Sequence, residues 1–387
     1  MNIVCASSVL FGKRAFSPLG TVRVLPDREI RREDLLETGA LIVRSGTRVG
    51  EMLAAGTALR FAATATAGDD HVDRAALARL GIAAANAPGC NANSVAEAVL
   101  SVLAHSALEK GERLAGRTLG IVGCGNIGGR LARKAALLGM RVLRNDPPKA
   151  RLDPDGGWVP LDRVLEESDA VTLHVPLTRE GEFATAGMAD ARFFARMRKG
   201  AWFFNASRGG VADLAALAGA LESGRLGAVW LDVWQDEPQL PEGFPSERVL
   251  FTPHIAGYSY EGRLEGTLAC RRALCRFLGV ADDGWRPSET EFPPPPPVVE
   301  PAGADAEETV LRTLAASSPL PVEDAARWRA AAEAAGGGEA LKRAFDAFRK
   351  GYPVRREFAA RRVRLPAGAE ATRPVLEGLG FAVEAGA

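Results

Sequence analysis

The chain has no excess of either charge, few aromatic residues and no apolar stretch long enough to span a membrane. Lys and Arg together number 48, as do Asp and Glu, so the formal net charge is zero. A neutral chain has no global field that would attract nucleic acid or an anionic membrane, and neither is predicted as a partner. Any anion must therefore be bound locally. Because aromatic residues make up only 6% of the chain, aliphatic and alanine side chains are expected to fill its core.

Cysteine is also scarce. The five cysteines form no C-x-x-C pair and no zinc-ligand spacing, and their odd number does not fit a complete disulfide framework. No metal site is therefore predicted, and the cysteines are interpreted as small apolar residues in a reducing compartment. Residues 1–12 lack a basic leader, and nowhere do about 18 apolar residues run together. We therefore expect a cytoplasmic protein.

The length of 387 residues exceeds what one hydrophobic core usually serves, so several domains are expected. From about residue 119 to 255, short apolar runs alternate with amphipathic stretches of helix length, which is typical of a doubly wound parallel α/β sheet. Five consecutive prolines mark a spacer near residue 295. We predict a Rossmann domain at 99–258, a split flavodoxin-like domain at 1–98 and 259–285, and a small α+β domain at 286–387.

The apolar runs predict where the individual elements lie. Six strands are expected in the central part, at 119–123, 140–144, 170–174, 201–205, 228–232 and 249–252. Weaker runs predict four strands nearer the start, at 21–25, 40–43, 60–63 and 82–85. A mostly buried helix is expected at 94–109, two helices at 322–334 and 339–350, and a short strand near 363–365.

A glycine-rich motif follows the first central strand and begins a helix. A G-x-G-x-x-G pattern in this context indicates a dinucleotide site. The first glycine allows a tight turn, the second lets a diphosphate approach the backbone, and the third lets helix and strand pack closely. The diphosphate would lie on the helix N-terminus, where unpaired N–H groups favour negative charge. The residues of this predicted site are Gly123, Gly125, Asn126, Ile127 and Gly128.

Asp146 ends the next predicted strand, near the spacing of about 20 residues at which an acidic residue binds the ribose. A carboxylate there accepts hydrogen bonds from both ribose hydroxyls and repels a 2′-phosphate. NAD is therefore predicted as the cofactor in preference to NADP, although Arg144 and Lys149 are nearby cations that could tolerate the phosphate.

Only four histidines are available for acid–base chemistry. His71 lies in a turn, where capping or solvation explains it, and His105 lies within a predicted helix. His174 ends a strand but has no acidic residue close in sequence. His254 follows the last central strand, at the carboxyl edge where ligands bind in such sheets, and is the best candidate for a general base.

Two further polar residues follow neighbouring strands. Glu237, just past the strand at 228–232, can pair with a histidine, fix its tautomer and raise its pKa. Arg208, after the strand at 201–205, can hold a substrate carboxylate with a bidentate fork. Together with His254 they predict a site that oxidises a hydroxyl group of a substrate that carries a carboxylate.

The order of these motifs resembles the D-isomer-specific 2-hydroxyacid dehydrogenases. Within that family the chain is most similar to the branch that oxidises 4-phospho-D-erythronate. The resemblance rests on phrases along nearly the whole chain: Val43-Arg-Ser45, Ala63-Thr-Ala-Thr-Ala-Gly68, Ala87-Pro-Gly-Cys-Asn-Ala92, Asp146-Pro-Pro148, Pro253-His-Ile-Ala-Gly-Tyr258 and Phe348-Arg-Lys-Gly-Tyr-Pro-Val-Arg-Arg-Glu-Phe358.

The resemblance implies NAD-dependent oxidation of 4-phospho-D-erythronate at C2 to (R)-3-hydroxy-2-oxo-4-phosphooxybutanoate, a step of vitamin B6 synthesis. It makes Arg208, Glu237 and His254 active-site residues, and it makes 286–387 a domain that forms a homodimer. It also places Ser45, Thr66 and Tyr258 at the substrate, and Asp146, Asp232 and Gly257 at the cofactor. Arg44 adds a cation beside Ser45 that suits a phosphate.

The chain departs from the family pattern at two places. Ala6-Ser-Ser-Val-Leu10 replaces an acidic phrase after the first strand, and Gly187 replaces a histidine. Oxidation of another small 2-hydroxy acid is therefore an alternative function, and an NAD-sensing interaction protein without turnover is a second. A further hypothesis is that the basic residues of 349–356 reach toward the substrate phosphate in a partner subunit; a solvated basic face is the other interpretation.

Overall fold

The computed structural model describes residues 1–384. The chain forms two compact units, one of Met1–Asn93 with Tyr258–Pro294, the other of Ser94–Gly257 with the segment that begins at Pro295. The domain predicted at 286–387, whose last three residues lie outside the described ones, is thus mostly grouped with the second unit. Its role as a separate dimerisation domain stays a prediction.

The described residues contain thirteen strands and fourteen α-helices. The strands are Asn2–Ala6 (β1), Thr21–Leu25 (β2), Ala40–Val43 (β3), Phe61–Thr64 (β4), Ala83–Ala85 (β5), Thr118–Val122 (β6), Arg141–Asn145 (β7), Ala170–Leu173 (β8), Ala201–Asn205 (β9), Leu226–Leu231 (β10), Leu250–Phe251 (β11), Arg362–Val363 (β12) and Ala382–Val383 (β13). The helices are Gly12–Phe16 (α1), Glu51–Ala54 (α2), Arg74–Arg79 (α3), Ala92–Lys110 (α4), Asn126–Leu137 (α5), Pro147–Leu152 (α6), Leu161–Glu167 (α7), Ala191–Arg196 (α8), Leu214–Glu222 (α9), Tyr260–Leu278 (α10), Ala306–Ala316 (α11), Ala325–Ala335 (α12), Gly338–Lys350 (α13) and Arg373–Leu379 (α14).

The first unit is a five-stranded parallel sheet in the order β2-β1-β3-β4-β5. Its inner strands β3 and β4 are buried along their whole length, as expected for apolar runs covered on both faces. Helix α10 returns to this unit from late in the sequence, and its Cys270 and Leu274 are buried in the same core as Ile3 and Leu41. This packing brings the segment from Tyr258 back to the first unit.

The second unit contains a six-stranded parallel sheet in the order β11-β10-β9-β8-β6-β7. The strand order reverses at β6, which creates the switch point where ligands bind in doubly wound sheets. Strands β9, β10 and β11 are neighbours, and because parallel strands end at one edge, the loops that follow them lie side by side. The predicted doubly wound α/β fold is confirmed.

The C-terminal helices share the core of this second sheet. Trp328 of α12 and Phe345 of α13 are buried in one cluster with Trp234, and the Phe345 and Trp234 rings lie 6.1 Å apart, edge to face. Aromatic burial of this kind explains why the segment from Pro295 forms one unit with 94–257. Within residues 1–384, none of the helices combines the length and the apolar character needed to cross a membrane.

An ion pair between α4 and α5 also binds the backbone of the C-terminal segment. Glu97 on α4 accepts hydrogen bonds from Lys134 Nζ at 3.1 Å and from the backbone N–H of Phe358 at 2.9 Å. Lys134 donates in turn to the carbonyl of Leu379 at 2.6 Å. Burial raises the pKa of Glu97 to about 7, and the Lys134 ammonium opposes this rise.

The raised pKa of Glu97 predicts a pH dependence of stability. A carboxyl group whose pKa rises from 4.5 to about 7 on folding binds more protons in the folded state over that interval, so its contribution to stability falls as the pH rises through it. Glu97→Gln removes this titration. We therefore expect the unfolding free energy of the wild type, relative to that of E97Q, to drop by about 1–3 kcal/mol between pH 5 and pH 8. Urea titrations at each pH measure the unfolding free energies of both proteins. A difference between the two free energies that stays constant or rises with pH would contradict the prediction.

Candidate active site

The glycine loop between β6 and α5 has the shape that a dinucleotide requires. Gly123 has φ 88°, and a Cβ there would lie 2.7 Å from the carbonyl of His174. At Gly128 a Cβ would overlap the carbonyl oxygen of Gly123. At Gly125, by contrast, a Cβ would meet no protein atom within 4 Å. The chain's own packing thus requires the first and third glycines, while the second leaves open space for a ligand to approach the backbone.

An open pocket of about 350 Å³ borders this loop. It is lined by Gly125, Asn126 and Gly129 and by three cationic residues, Arg130, Arg133 and Lys149. Asn126 is also the first residue of α5, so unpaired backbone N–H groups are present nearby. Backbone donors and cations together suit an anionic group such as a diphosphate.

Asp146 caps α6 and is tied to the glycine loop. Its carboxylate accepts from the N–H of Lys149 at 3.2 Å and from the N–H of Cys124 at 2.9 Å. Lys149 Nζ donates to the Cys124 carbonyl at 2.6 Å. A carboxylate can accept about four hydrogen bonds, so Asp146 keeps acceptor sites for two ribose hydroxyls. Its position thus fits the predicted ribose contact.

His254 and Glu237 are brought together at the carboxyl edge of the sheet. His254 Nδ1 lies 3.1 Å from Glu237 Oε2, and Glu237 Oε1 accepts from the N–H of Trp234 at 3.1 Å. The carboxylate therefore stabilises the tautomer that carries its proton on Nδ1, which leaves Nε2 to exchange a proton with a ligand. The histidine side chain is 38% exposed, so a ligand can reach it.

The backbone of His254 is held in an unusual conformation. Its φ is 57°, in the left-handed region that non-glycine residues seldom adopt. Its N–H donates to the carbonyl oxygens of Asp232 and Thr252, each at 2.8 Å. Strained residues of this kind occur where the surrounding structure fixes a functional side chain.

Asp232 organises the turn after His254. Its side chain is buried and accepts from Thr252 Oγ1 at 2.6 Å, from the N–H of Ile255 at 2.9 Å and from the N–H of Ala256. Burial raises the pKa of Asp232, and these hydrogen bonds oppose the rise. The sequence resemblance assigns Asp232 and Gly257 to the cofactor; in the structure Asp232 also shapes the His254 turn.

Arg208 lies in a loop that Asn205 builds. The buried Asn205 accepts from the N–H of Ser207 at 3.0 Å and donates to the carbonyl of Arg208 at 3.1 Å. A Cβ at Gly209 would overlap the backbone of Trp234, so the loop after β9 packs against the loop that carries Glu237. The three predicted residues, Arg208, Glu237 and His254, thus follow three neighbouring strands.

The predicted substrate residues of the first unit lie near one another. Arg44 donates to the carbonyl of Ala65 at 3.3 Å, and its guanidinium lies 5.9 Å from the centre of the Tyr258 ring. Ser45 follows Arg44 and is exposed. Thr66 Oγ1 lies 2.7 Å from Thr64 Oγ1 and donates to the carbonyl of Gly68. The structure thus gathers a cation, hydroxyls and an aromatic ring in this unit.

Two charged residues in this unit, Arg263 and Asp27, are not predictable from local sequence patterns. Burial lowers the pKa of Arg263, and the charge of Arg44 lowers it further, which places a second cation near the first. Asp27 accepts from the N–H of Ser8 at 3.2 Å and from its hydroxyl at 2.5 Å. The serine loop that replaces the family's acidic phrase is therefore paired with a carboxylate from another part of the chain. Both contacts depend on the tertiary fold, so no local pattern could have revealed them.

Each of the other three histidines lies beside a side chain of its own unit. His174 is buried, lies 3.0 Å from Thr172 Oγ1, and has a pKa lowered to about 3 by burial. His71 does not cap a helix, since Asp73 caps α3; its Nε2 lies 2.8 Å from Thr64 Oγ1, and burial lowers its pKa. His105 lies on α4, 3.8 Å from Glu109. Among residues 1–384, no three His, Cys, Asp or Glu side chains form a group that could hold a metal ion.

Comparison with known proteins decides the family. Residues 92–256 match the NAD binding domain of the D-isomer specific 2-hydroxyacid dehydrogenases. An erythronate-4-phosphate dehydrogenase of Salinibacter ruber is 45% identical over 333 residues, which cover 85% of this chain and 81% of that protein. The chain belongs to the erythronate-4-phosphate dehydrogenase family.

Two further comparisons show how much of this chain has a counterpart in known proteins. The erythronate-4-phosphate dehydrogenase of Pseudomonas aeruginosa is 41% identical over 97% of this chain and 98% of its own. The solved structure of a D-lactate dehydrogenase from Aquifex aeolicus, complexed with NAD and lactic acid, has a TM-score of 0.61 and 25% identity over 72% of this chain and 96% of that chain. Members of the erythronate-4-phosphate dehydrogenase family thus match this chain over nearly its whole length, including most of the segment beyond residue 286. The family match and the geometry of the glycine loop agree on NAD as the cofactor.

Proposed function

We propose that this chain oxidises 4-phospho-D-erythronate at C2 with NAD⁺, giving (R)-3-hydroxy-2-oxo-4-phosphooxybutanoate and NADH in the synthesis of vitamin B6. The observation that carries the proposal is the hydrogen bond of 3.1 Å between His254 and Glu237, beside the Arg208 loop, in a chain of this family. A histidine–carboxylate pair can take up the hydroxyl proton, and an arginine can hold the carboxylate of a 2-hydroxy acid.

The proposed reaction transfers a hydride from C2 and a proton from the C2 hydroxyl. As the substrate's C2–H bond breaks, its hydrogen leaves with both electrons, and His254 Nε2 takes the proton of the C2 hydroxyl as the carbonyl forms. When bound, NAD⁺ supplies the acceptor of that hydride. Glu237 holds the Nδ1–H of His254 and stabilises the imidazolium, while Arg208 holds the substrate carboxylate and polarises the forming carbonyl.

We further infer that Arg44, Ser45, Thr66 and Tyr258 bind substrate, with Arg44 and Ser45 at its phosphate. A guanidinium beside a hydroxyl is a suitable pair of donors for phosphate oxygens. Likewise the glycine loop, Asp146, Asp232 and Gly257 are proposed to bind NAD. We also propose a homodimer formed through residues 286–387 and a cytoplasmic location. All five cysteines, each within the described residues, are free thiols, as is common in a reducing compartment.

A substrate comparison by NADH absorbance tests the function. The purified chain with NAD⁺ should show a higher kcat/KM with 4-phosphoerythronate than with 3-phosphoglycerate or glycerate. A site that binds a phosphate loses that interaction with glycerate, and the four-carbon acid differs from phosphoglycerate in length. Preference for an unphosphorylated acid would favour the alternative, a dehydrogenase of another 2-hydroxy acid, which the altered loop at Ala6–Leu10 suggests.

A further inference from the structure

An arginine of the C-terminal segment contacts the backbone that follows His254. Arg355 Nη2 donates to the carbonyl oxygens of Ala256 and, at 3.3 Å, of Ile255. It also donates to Ser94 Oγ at 2.7 Å, and Ser94 donates to the Ala256 carbonyl at 3.0 Å. The two residues after His254 are therefore held directly by Arg355 and indirectly through Ser94.

The other side of the same peptide groups is held by a carboxylate. The N–H groups of Ile255 and Ala256 donate to Asp232 at 2.9 and 3.1 Å. The turn thus lies between a negative charge at its N–H groups and a positive charge at its carbonyl oxygens. This arrangement matches the dipoles of the peptide groups, and hydrogen bonds to charged groups are about twice as strong as neutral ones.

These contacts are shielded from water. Arg355 is 8% exposed and Ser94 is 2% exposed. A buried arginine is unusual unless its charge is compensated, and hydrogen bonds in such surroundings are stronger than in water. Residues 352–357 form no helix or strand, so specific contacts of this kind, rather than a regular backbone ladder, fix the position of Arg355.

The turn needs such support because His254 has φ 57°. A non-glycine residue in this region is strained and persists only where its neighbours fix it. Asp232 restrains one side of the turn. Loss of the restraint on the other side would let the imidazole move, and a misplacement of about 1 Å can lower a rate about 10²-fold.

We propose that Arg355 is a positioning residue of the active site, which holds the turn after His254 so that the imidazole is presented to substrate. The inference rests on the proposed role of His254. It gives the C-terminal segment a part in catalysis within its own chain. This role differs from the one expected from the sequence, in which the basic residues of 349–356 reach a partner's substrate phosphate.

Kinetics of Arg355→Ala test the proposal. Wild-type turnover of 4-phosphoerythronate tests the proposed function by itself, and the ratio of variant to wild type, measured on whichever 2-hydroxy acid the wild type oxidises best, tests the inference. We expect R355A to lower kcat about 10- to 100-fold with KM for the acid within about threefold. Guanidinium ion at tens of millimolar, well below denaturing concentrations, should restore part of the lost kcat. Arg355→Lys should retain an intermediate kcat.

Arg362→Ala is the matched control, because Arg362 is an exposed arginine of the same segment that pairs with Glu384 at 3.1 Å. It should keep wild-type kcat and show no response to guanidinium. A folded R355A with kcat within twofold of wild type would overturn the proposal. So would an increased KM with unchanged kcat, which indicates phosphate binding, or a loss that guanidinium does not reduce. If R355A fails to fold, R355K decides: wild-type kcat in R355K overturns the proposal, and a lower kcat at equal folded concentration supports it.

Discussion

Replacing His254 with alanine should lower kcat for the 2-hydroxy acid by about 10²- to 10⁴-fold, the usual contribution of a general base. NAD affinity should stay within about threefold of wild type, because the proposed diphosphate and ribose contacts, at the glycine loop and Asp146, involve other strands. Initial rates of NADH formation give kcat, and quenching of tryptophan fluorescence by NAD gives the affinity. The combination of lost turnover and retained cofactor binding is the expected signature of a proton-transferring residue.

His105→Ala is the matched control for this experiment. His105 lies on helix α4 beside Glu109, far along the chain from any proposed catalytic residue, and its removal should leave kcat within about twofold. If H254A kept near-wild-type kcat while H105A lost turnover, the assignment of the base would be wrong. Equal activity of all three proteins would contradict the proposed acid–base mechanism.

Local patterns predicted most elements of the second unit. The six predicted strands agree with β6–β11 within two residues at each end. The clearest signals come from β6, β8 and β9, which are short apolar runs buried along their whole length. The three glycines were predictable because their spacing between a strand and a helix is itself a local pattern. The side-by-side arrangement of the Arg208, Glu237 and His254 loops followed from one rule, that parallel strands end at the same edge.

Local patterns predicted β2–β5 near the chain's beginning and α12, α13 and β12 in its C-terminal part, but they did not predict β1 or α11. Strand β1 consists of only five residues at the start of the chain, yet it lies inside its sheet. Helix α11 carries a detectable signal, since Asp305 caps it and Glu308 follows three residues later. Its surroundings are rich in proline and small residues, which obscured the apolar period.

The contacts that shape the site are mostly long-range, and sequence patterns do not contain them. Arg355 and Ala256 are 99 residues apart in the chain, and Glu97 and Phe358 are 261 apart. From sequence alone, a basic residue in an irregular segment is predicted to be solvated or to bind an anionic ligand. Only the fold shows that one of the arginines at 349–356 is buried against the turn that follows His254.

Replacing Arg208 with lysine should lower kcat/KM for the 2-hydroxy acid by about 10²- to 10³-fold, while the affinity for NAD stays near wild type. Lysine keeps the positive charge but lacks the planar fork that can hold a carboxylate with two parallel hydrogen bonds. The loop itself should survive, because Asn205 contacts the backbone of Arg208 rather than its side chain. Steady-state kinetics with varied acid at saturating NAD⁺ give the change.

Arg198→Lys is the matched control for R208K, since Arg198 precedes β9 at the opposite end of the strand that Arg208 follows. Arg198 pairs with Asp169 at 2.6 Å and is half exposed, so the lysine should retain that pair with kcat/KM within about twofold of wild type. A loss in R208K that appears only in KM would mean that Arg208 binds the carboxylate without polarising the carbonyl. A kcat/KM in R208K equal to that of R198K would show that charge alone suffices, and the bidentate role would then be wrong.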